Sequence, residues 1–400
     1  MKVLLVGSGA REHALAWAIA RSPSLTELHA APGNPGIAAL GHCHPVRADD
    51  GDGLLDLART LGIDLAVIGP EAPLVAGVGD ELRHAGIAVF GPGAEAARVE
   101  GSKSFAKEVL AAAGVAAAAT LSVARAPCVI KADGLAAGKG VFVCRTAAEV
   151  DEALRGAAAF GTSLVIEELL EGYEVSVFAL CDGNRAVPIG AAQDFKRAGD
   201  GDTGPNTGGM GAYSPVAGTD VAALVEQIHQ PVLDELARRG TPFVGCLFAG
   251  LMVTTDGPRV LEFNARFGDP ETQVVVPRLE GDLLHALAAA ANRDLSGVSL
   301  HESAEAAVTV VLTGPEYPAR SDYAGAPIEG LEAAADDAFV FHGGTAVRDG
   351  RVVTNGGRIL SVTALAATVG EARARAYGAV DKVSFQGMRY RRDIAAAAGG

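Results

Sequence analysis

Short apolar runs alternate with amphipathic stretches over the first hundred residues. Lys2–Val6 is almost continuously apolar, Gly7–Ala10 interrupts it as a turn, and Glu12–Ala20 carries helical spacing. Further apolar runs at Leu28–Ala31, Asp64–Ile68 and Ile87–Phe90 predict three more strands with helices between them. Short buried strands separated by helices predict a parallel sheet covered on both faces. Ligands of such a sheet lie at the carboxyl ends of its strands, here the loops Gly7–His13, Ala31–Gly36 and Gly69–Pro73. A helix over Ser102–Ala113 and a crossing over Gly114–Pro127 lead into a β-rich stretch. Its predicted strands are Cys128–Lys131, Val141–Cys144, Leu164–Glu167 and Glu174–Leu180, with a helix over Ala147–Ala158 among them. A larger α/β section runs to about Gly325. Beyond it the pattern alternates around Asp349-Gly350 and Asn355-Gly356, both hairpin dipeptides, before a helix over Thr368–Val383. No internal repeat is evident.

Composition narrows the function. The chain has 400 residues, which implies two to four domains, and its 51 glycines sit mostly in clusters where backbone must approach something closely. A formal net charge of −15 argues against nucleic acid or an anionic membrane as the main partner, since both need a basic field. Phosphate ligands need only a local pocket and stay open. The five cysteines form no CxxC pair or metal-ligand spacing, so they read as small buried hydrophobes in a reducing compartment. The sequence opens on a strand without signal-peptide features and has no run long enough to span a bilayer, so a soluble cytoplasmic protein is expected.

Four segments carry candidate chemistry. Lys131–Val141 (Lys-Ala-Asp-Gly-Leu-Ala-Ala-Gly-Lys-Gly-Val) lies between two predicted strands, so it is a hairpin loop and not a P-loop. Its small residues let consecutive N–H groups face an anion, with Lys131 and Lys139 at either end, as a triphosphate requires. Ile166–Glu174 is a strand running into a short acidic connector, whose backbone can pair with an adenine edge and whose acid can hold a ribose. In Val260–Glu271, alternation places Glu262, Asn264 and Arg266 on one strand face and Leu261, Phe263 and Ala265 on the other. A carboxylate and an amide two residues apart suit Mg²⁺, and the arginine can stabilise a transferring phosphoryl group. Gln193–Tyr213 reads as a long irregular loop forming the wall of a site. Gly7-Ser8-Gly9-Ala10-Arg11-Glu12 is a poor dinucleotide fingerprint, because Glu12 replaces the third glycine, although a helix N-terminus beside Arg11 still suits one phosphate.

Together, Gly7–His13, Gly69–Val75, Gly101–Lys103, Val129–Val141, Asp202–Pro215, Leu261–Gln273, Val340–Thr345 and Thr354–Arg358 resemble the phosphoribosylamine–glycine ligase (glycinamide ribonucleotide synthetase) family over nearly the whole chain. The resemblance implies an α/β ATP-grasp fold: a Rossmann-like parallel-sheet domain over 1–101, an ATP-grasp domain over 102–325 with a lid subdomain at about 118–185, and a C-terminal α+β domain over 326–400. It implies ATP-dependent ligation of glycine to 5-phosphoribosylamine through glycyl phosphate, the second step of de novo purine synthesis. By the same resemblance Lys103, Lys131, Gly134, Gly138 and Lys139 hold phosphates, and Glu168, Leu170 and Glu174 hold adenine and ribose. Glu262 and Asn264 hold Mg²⁺, with Mn²⁺ as an alternative. Lys139, Arg266 and Asp269 serve catalysis, and Gly9, Arg11, Glu12, Glu71, Asp194, Gly208 and Asp269 contact substrate. A monomer with small-molecule partners only is expected.

Three departures from the family pattern stand out. Ala10 occupies a position that is usually glycine, Phe195 replaces a usual histidine, and Ala116–Pro127 is about a dozen residues short of the typical length, which implies a missing helix before the lid strand. Two competing readings remain at this level besides a weaker nicotinamide-dependent oxidoreductase: another ATP-grasp ligase sharing only the nucleotide half, and a non-catalytic nucleotide-binding descendant.

Overall fold

The first apolar runs pair as their pattern demands. In a computed structural model, which describes residues 1–135, 140–161 and 163–399, β1 (Lys2–Gly7), β2 (Glu27–Pro32), β3 (His42–Cys43), β4 (Leu65–Ile68) and β5 (Ala88–Phe90) form a parallel sheet in the order β3-β2-β1-β4-β5. Val3–Val6 are fully buried, because helices cover both faces of the central strand. The helix Ala10–Ile19 follows β1 directly and starts two residues before the predicted one. Of the cysteines, Cys128, Cys144, Cys181 and Cys246 are buried as expected, but Cys43 is exposed, since β3 is a two-residue edge strand.

A second, smaller unit is built from β6 (Cys128–Ala132), β7 (Val141–Cys144) and β8 (Leu164–Glu168), antiparallel in the order β7-β6-β8. The helix Ala147–Ala157 packs on it, started by a capping box between Thr146 and Glu149. Its core (Cys128, Ile130, Cys144, Val150, Ala153, Ala157) is separate from the main cores. The connector before it is extended, bridging Ala117 to Val260 and Thr120 to Glu167.

The remaining strands are β9 (Tyr173–Asp182), β10 (Ala186–Asp194), β11 (Arg197–Gly199), β12 (Thr203–Asn206), β13 (Gly211–Ser214), β14 (Val244–Thr254), β15 (Gly257–Asn264), β16 (Leu279–Glu280), β17 (His301–Glu302), β18 (Ala306–Thr313), β19 (Ala324–Pro327), β20 (Phe339–His342), β21 (Thr345–Arg348), β22 (Arg351–Asn355) and β23 (Arg358–Ala366). Eight of them form one antiparallel sheet, β15-β14-β9-β10-β13-β18-β23-β20, which runs without a break from the middle of the chain into its C-terminal part. Among the described residues no helix is long and apolar enough to cross a membrane.

Three local expectations are corrected. Asp349-Gly350 does turn β21 into β22, with φ of 50° and 72° as a tight two-residue turn needs. Asn355-Gly356 makes no hairpin: β22 pairs with β19 and β21, whereas β23 pairs with β18 and β20, so the chain changes sheets there. Gly356 serves close approach instead, since a Cβ on Gly344 would lie 2.8 Å from its Cα. The stretch after Gln193 is not irregular; β11 and β12 make it a two-stranded hairpin. On β15, register pairs Glu262 with Gly250 but Val260 with Leu251, so a bulge at Leu261 breaks the alternation. Val260 and Phe263 enter the core, and Leu261 joins Glu262 in lining the cleft.

A pH effect arises in the core beneath β9. His229 is fully buried, its Nε2 bonds to the Val177 carbonyl at 3.3 Å, and its Nδ1 has no partner among the described residues. Burial lowers its pKa to about 4. Below pH 6.5 the unfolded chain takes up a proton that the folded chain resists, so this contribution is full above pH 6.5 and lost progressively toward pH 4. Between pH 7 and pH 5 the loss should be about 2 kcal/mol. Urea unfolding of the wild type and of His229→Gln at both pH values checks this; identical pH dependence in the two proteins would remove His229 as the source.

Candidate active site

Three chambers meet where the parallel sheet, the small unit and the large sheet converge. The one at the N-terminal sheet is built by the turn after β1. Glu12 folds back into this turn, 2 % exposed, accepting from the Gly9 N–H at 2.7 Å and from Arg11 Nε at 2.6 Å. A Cβ at Gly7, Gly9 or Gly69 would come within 2.6, 2.8 or 2.1 Å of the Glu12 side chain. These glycines therefore make room for a carboxylate, which explains why the motif fails as a dinucleotide fingerprint. Glu12, expected to contact substrate, is placed as the support of Gly9 and Arg11. Arg11, also buried, donates to the Phe267 carbonyl at 3.2 Å. Asn34 ties this turn to the C-terminal part, donating to the carbonyls of Ser8 at 2.9 Å and His342 at 2.7 Å. Gly9, Asn34, Gly208, Gly343, Asp269 and Arg358 are among the lining residues.

A second chamber lies between the small unit and the large sheet, lined by Lys131, Glu168, Leu170, Glu174, Leu261 and Glu262 among others. Lys131 is 5 % exposed; it pairs with Glu167 at 2.6 Å and donates to the Leu261 carbonyl at 2.8 Å. Lys107 holds the other oxygen of Glu167 at 2.6 Å. This fixes the Lys131 ammonium at the rim with donor capacity left for an anion. Lys103 donates to the Gly134 carbonyl at 2.9 Å, its pKa lowered by burial. Glu168 is engaged with the connector backbone, accepting from the Ala119 N–H at 2.7 Å, and Glu174 pairs with Lys196. Gly138 and Lys139 lie outside the described residues.

At the junction stands Arg266. Its Nη2 lies 2.9 Å from Glu100 and its Nε 3.3 Å from Glu71, yet Nε meets no acceptor in hydrogen-bond geometry among the described residues. Burial alone would lower its pKa, but Glu100 and Glu71 raise it, so the guanidinium stays charged. Asp269 is held by Arg358 at 2.9 Å and accepts from Gln273 at 2.7 Å. Burial pushes its pKa up, and Arg358 followed by Arg11 pulls it below the usual carboxylate range. Asp194 and Lys196 approach to 3.7 Å; burial opposes the Lys196 charge, and Asp194, Glu174 and Glu262 more than restore it. Glu271, nearly buried, is raised to about 7 by burial and then by Asp194.

The donor set suits a divalent ion with few protein ligands. The Glu262 carboxylate faces the cleft with no hydrogen bond or ion pair to a described residue, and the Asn264 amide oxygen accepts only from Arg266 Nη2, at 3.1 Å. Among the described residues no group of three or more His, Cys, Asp or Glu forms a protein-only metal site. A magnesium that takes most of its ligands from phosphate and water fits this pair.

The structure thus brings Arg11, Glu71, Lys103, Lys131, Gly134, Asp194, Gly208, Glu262, Asn264, Arg266 and Asp269 into one cleft. Sequence reasoning assigned no role to Glu100 and Lys107, nor to Glu167, Lys196, Glu271 and Arg358, which lie within segments singled out above. Lys107 stands one helical turn from Lys103 and could have been found by spacing. The pairings of Glu100 and Arg358 carry no local signal, because their partners are 166 and 89 residues away in sequence.

Comparison with known proteins agrees with this geometry. The family description "Phosphoribosylglycinamide synthetase" matches as an N domain over residues 1–100, an ATP-grasp (A) domain over 101–272 and a C domain over 307–397. The chain is 53% identical over 420 residues to a phosphoribosylamine–glycine ligase of Streptomyces coelicolor, covering 100% of both, and 50% identical over 415 residues to that of Rhizobium meliloti, covering 98% of each. A crystal structure of the Thermotoga maritima phosphoribosylamine–glycine ligase superposes with a TM-score of 0.85 at 34% identity, covering 98% of this chain and 100% of that one. A biotin carboxylase domain from Hydrogenobacter thermophilus shares the fold, with a TM-score of 0.69 at 17% identity over 97% of this chain and 91% of that one. The α/β ATP-grasp architecture is therefore established, and the chain belongs to the phosphoribosylglycinamide synthetase family.

Proposed function

We propose that this chain joins glycine to 5-phosphoribosylamine at the expense of ATP, giving glycinamide ribonucleotide, ADP and phosphate through glycyl phosphate. The observation that carries this reading is the continuity of the three chambers. The nucleotide-side chamber and the central cleft share Lys131, Asp194, Lys196 and Glu262, and the central cleft and the N-terminal chamber share Thr207, Gly208, Asp269 and Arg358. Their volumes of about 510, 390 and 720 Å³ fall in the ordinary range for small-ligand pockets. A ligase of three substrates needs this layout, with the γ-phosphoryl, the glycine carboxylate and the attacking amine all meeting at the middle.

A carboxylate is a poor electrophile, so glycine must first accept a phosphoryl group, and the amine then displaces phosphate from the acyl carbon. Magnesium, held by Glu262 and Asn264, would neutralise charge on the phosphate oxygens. Lys131 and Lys103 orient the phosphates from the small-unit side. The charged Arg266, with Nε free of a bond to any described residue, faces the transferring group or the acyl phosphate. Asp269, kept ionised by Arg358, attracts the substrate amine. Residues 1–101, 102–325 and 326–400 serve in this scheme as substrate, ATP-grasp and C-terminal domains, with the small unit of β6–β8, inside the expected 118–185 and short of β9, as the lid that excludes water from a hydrolysable acyl phosphate. The test is phosphate release from ATP and Mg²⁺ with glycine and freshly generated 5-phosphoribosylamine, added singly and together. Release should require both, with glycinamide ribonucleotide formed in step; release with either alone at the same rate would overturn the reading.

A further inference from the structure

Arg391 is the largest fully buried side chain of the described residues, at 1 % exposure. Its guanidinium is held by Asp393 through two bonds of 2.7 and 2.6 Å and by Asp202 at 2.7 Å, and it donates to the Arg197 carbonyl at 3.2 Å. It also lies 5.1 Å from the centre of the Phe195 ring, within cation–π range. The neighbouring backbone repeats the connection: the Arg392 N–H donates to Asp200 at 2.7 Å and the Gly201 N–H to Asp393 at 2.8 Å. Apart from Asp393, which neighbours Arg391 in sequence, these partners belong to the β11–β12 hairpin or, as Phe195, lie two residues before it.

The segment that carries Arg391 is itself fixed. Tyr377 donates to the Arg391 carbonyl at 2.7 Å, and Arg373 donates to the carbonyls of Arg392 at 2.7 Å and Ile394 at 2.9 Å. Both Arg373 and Tyr377 are on the helix Val369–Val380, which packs on β18 and β23 of the large sheet. A continuous path therefore runs from the sheet, through this helix, to the back of the hairpin.

The front of the segment that joins β10 to β11 is the cleft. Asp194 and Lys196 line both the central and the nucleotide-side chambers, whereas Phe195 between them lines neither and packs near Tyr213. In extended chain the side chains of successive residues point to opposite faces. Stacking Arg391 on Phe195 from behind thus fixes which way Asp194 and Lys196 face, and the bonds to Asp202 and Arg197 fix the hairpin that borders the nucleotide-side chamber.

We infer that Arg391 is a positioning residue for nucleotide binding, acting through Phe195 and the β11–β12 hairpin on Lys196 and Asp194. This rests on the reading of the Lys131–Glu174 chamber as the nucleotide site. It also gives Phe195 a role of its own, as the platform for the guanidinium, where the family pattern has an imidazole.

The test measures equilibrium binding of ADP in the presence of Mg²⁺, and the KM values for ATP and glycine, in wild type, Arg391→Gln, Phe195→Leu and the double variant. Arg391→Gln should weaken ADP binding and raise the KM for ATP at least tenfold, with the KM for glycine changed less than twofold. Phe195→Leu, which leaves every ion pair in place, should weaken ADP binding severalfold, and the double variant should be no worse than Arg391→Gln. A lowered unfolding midpoint with unchanged ADP affinity in Arg391→Gln would reduce the residue to a structural anchor and overturn the inference. Should Arg391→Gln fail to fold, wild-type ADP affinity in Phe195→Leu would overturn it equally. Wild-type protein that binds ADP but makes no product would sink the proposed ligation and leave this inference standing.

Discussion

Glu262→Ala should lower kcat by at least about a thousandfold while leaving the fold intact, the scale seen when a group that stabilises transferring charge is removed. The structural reason is the isolation of the side chain. Its carboxylate faces the cleft without a hydrogen bond or ion pair to any described residue, so removing it breaks no internal contact. It does alter the local field: Glu262 supports the protonated forms of both Lys103 and Lys196. Glu262→Gln keeps the shape and loses the charge, and should be nearly as inactive. The informative comparison is rate against Mg²⁺ or Mn²⁺ concentration, with thermal unfolding as the control. The variant should need more metal for its residual turnover and melt like the wild type. A kcat within tenfold of wild type at ordinary metal concentration would refute the assignment.

Arg266→Ala should be equally damaging to turnover, on the order of a thousandfold in kcat/KM, and should in addition destabilise the protein. The guanidinium neutralises two carboxylates, Glu100 and Glu71, at the seam between the parallel sheet and β15. Deleting one member of a buried ion cluster leaves the others uncompensated, at a cost of about 3–5 kcal/mol. Burial already raises the pKa of Glu100, so this carboxyl will take up a proton once the arginine is gone, which moderates the loss. The two effects can be separated by adding Glu100→Gln to Arg266→Ala: stability should recover in large part and turnover should not. Denaturant unfolding and product formation measured on the same preparations decide it. Recovery of activity together with stability would mean that Arg266 serves the fold and not the reaction.

The pattern of apolar runs was enough to specify the parallel sheet, because a strand buried on both faces must be apolar throughout, and Lys2–Val6 leaves no alternative. It was also enough for the helix starts at Ser102, Thr146 and Thr368, whose side chains accept from the N–H three residues on, since capping is a local interaction. The family motifs singled out the cleft for the same reason: Glu262, Asn264 and Arg266 are close in sequence, and their chemistry is readable from spacing.

Other features depended on partners remote in the chain. Asn355-Gly356 has the composition of a hairpin turn, but whether two strands pair is decided by which sheet each one completes, and here they complete different sheets. The bulge at Leu261 depends on register against β14 and redirects a side chain that alternation alone would have buried. The packing of Gly69 against the Glu12 side chain, which also caps Gly9 three residues before it, arises only when β1 and β4 lie side by side. Sequence by itself determined the class of fold, the family and the acidic, amide and basic groups that serve the chemistry, because periodicity and local motifs encode them. Tertiary structure alone decided which charges are paired and which are left for substrate, as with Arg358 on Asp269, Glu100 on Arg266 and Arg391 behind Phe195. A pairwise electrostatic contact is set by distance in space, and in these three cases folding brings together residues 89, 166 and about 200 positions apart in sequence.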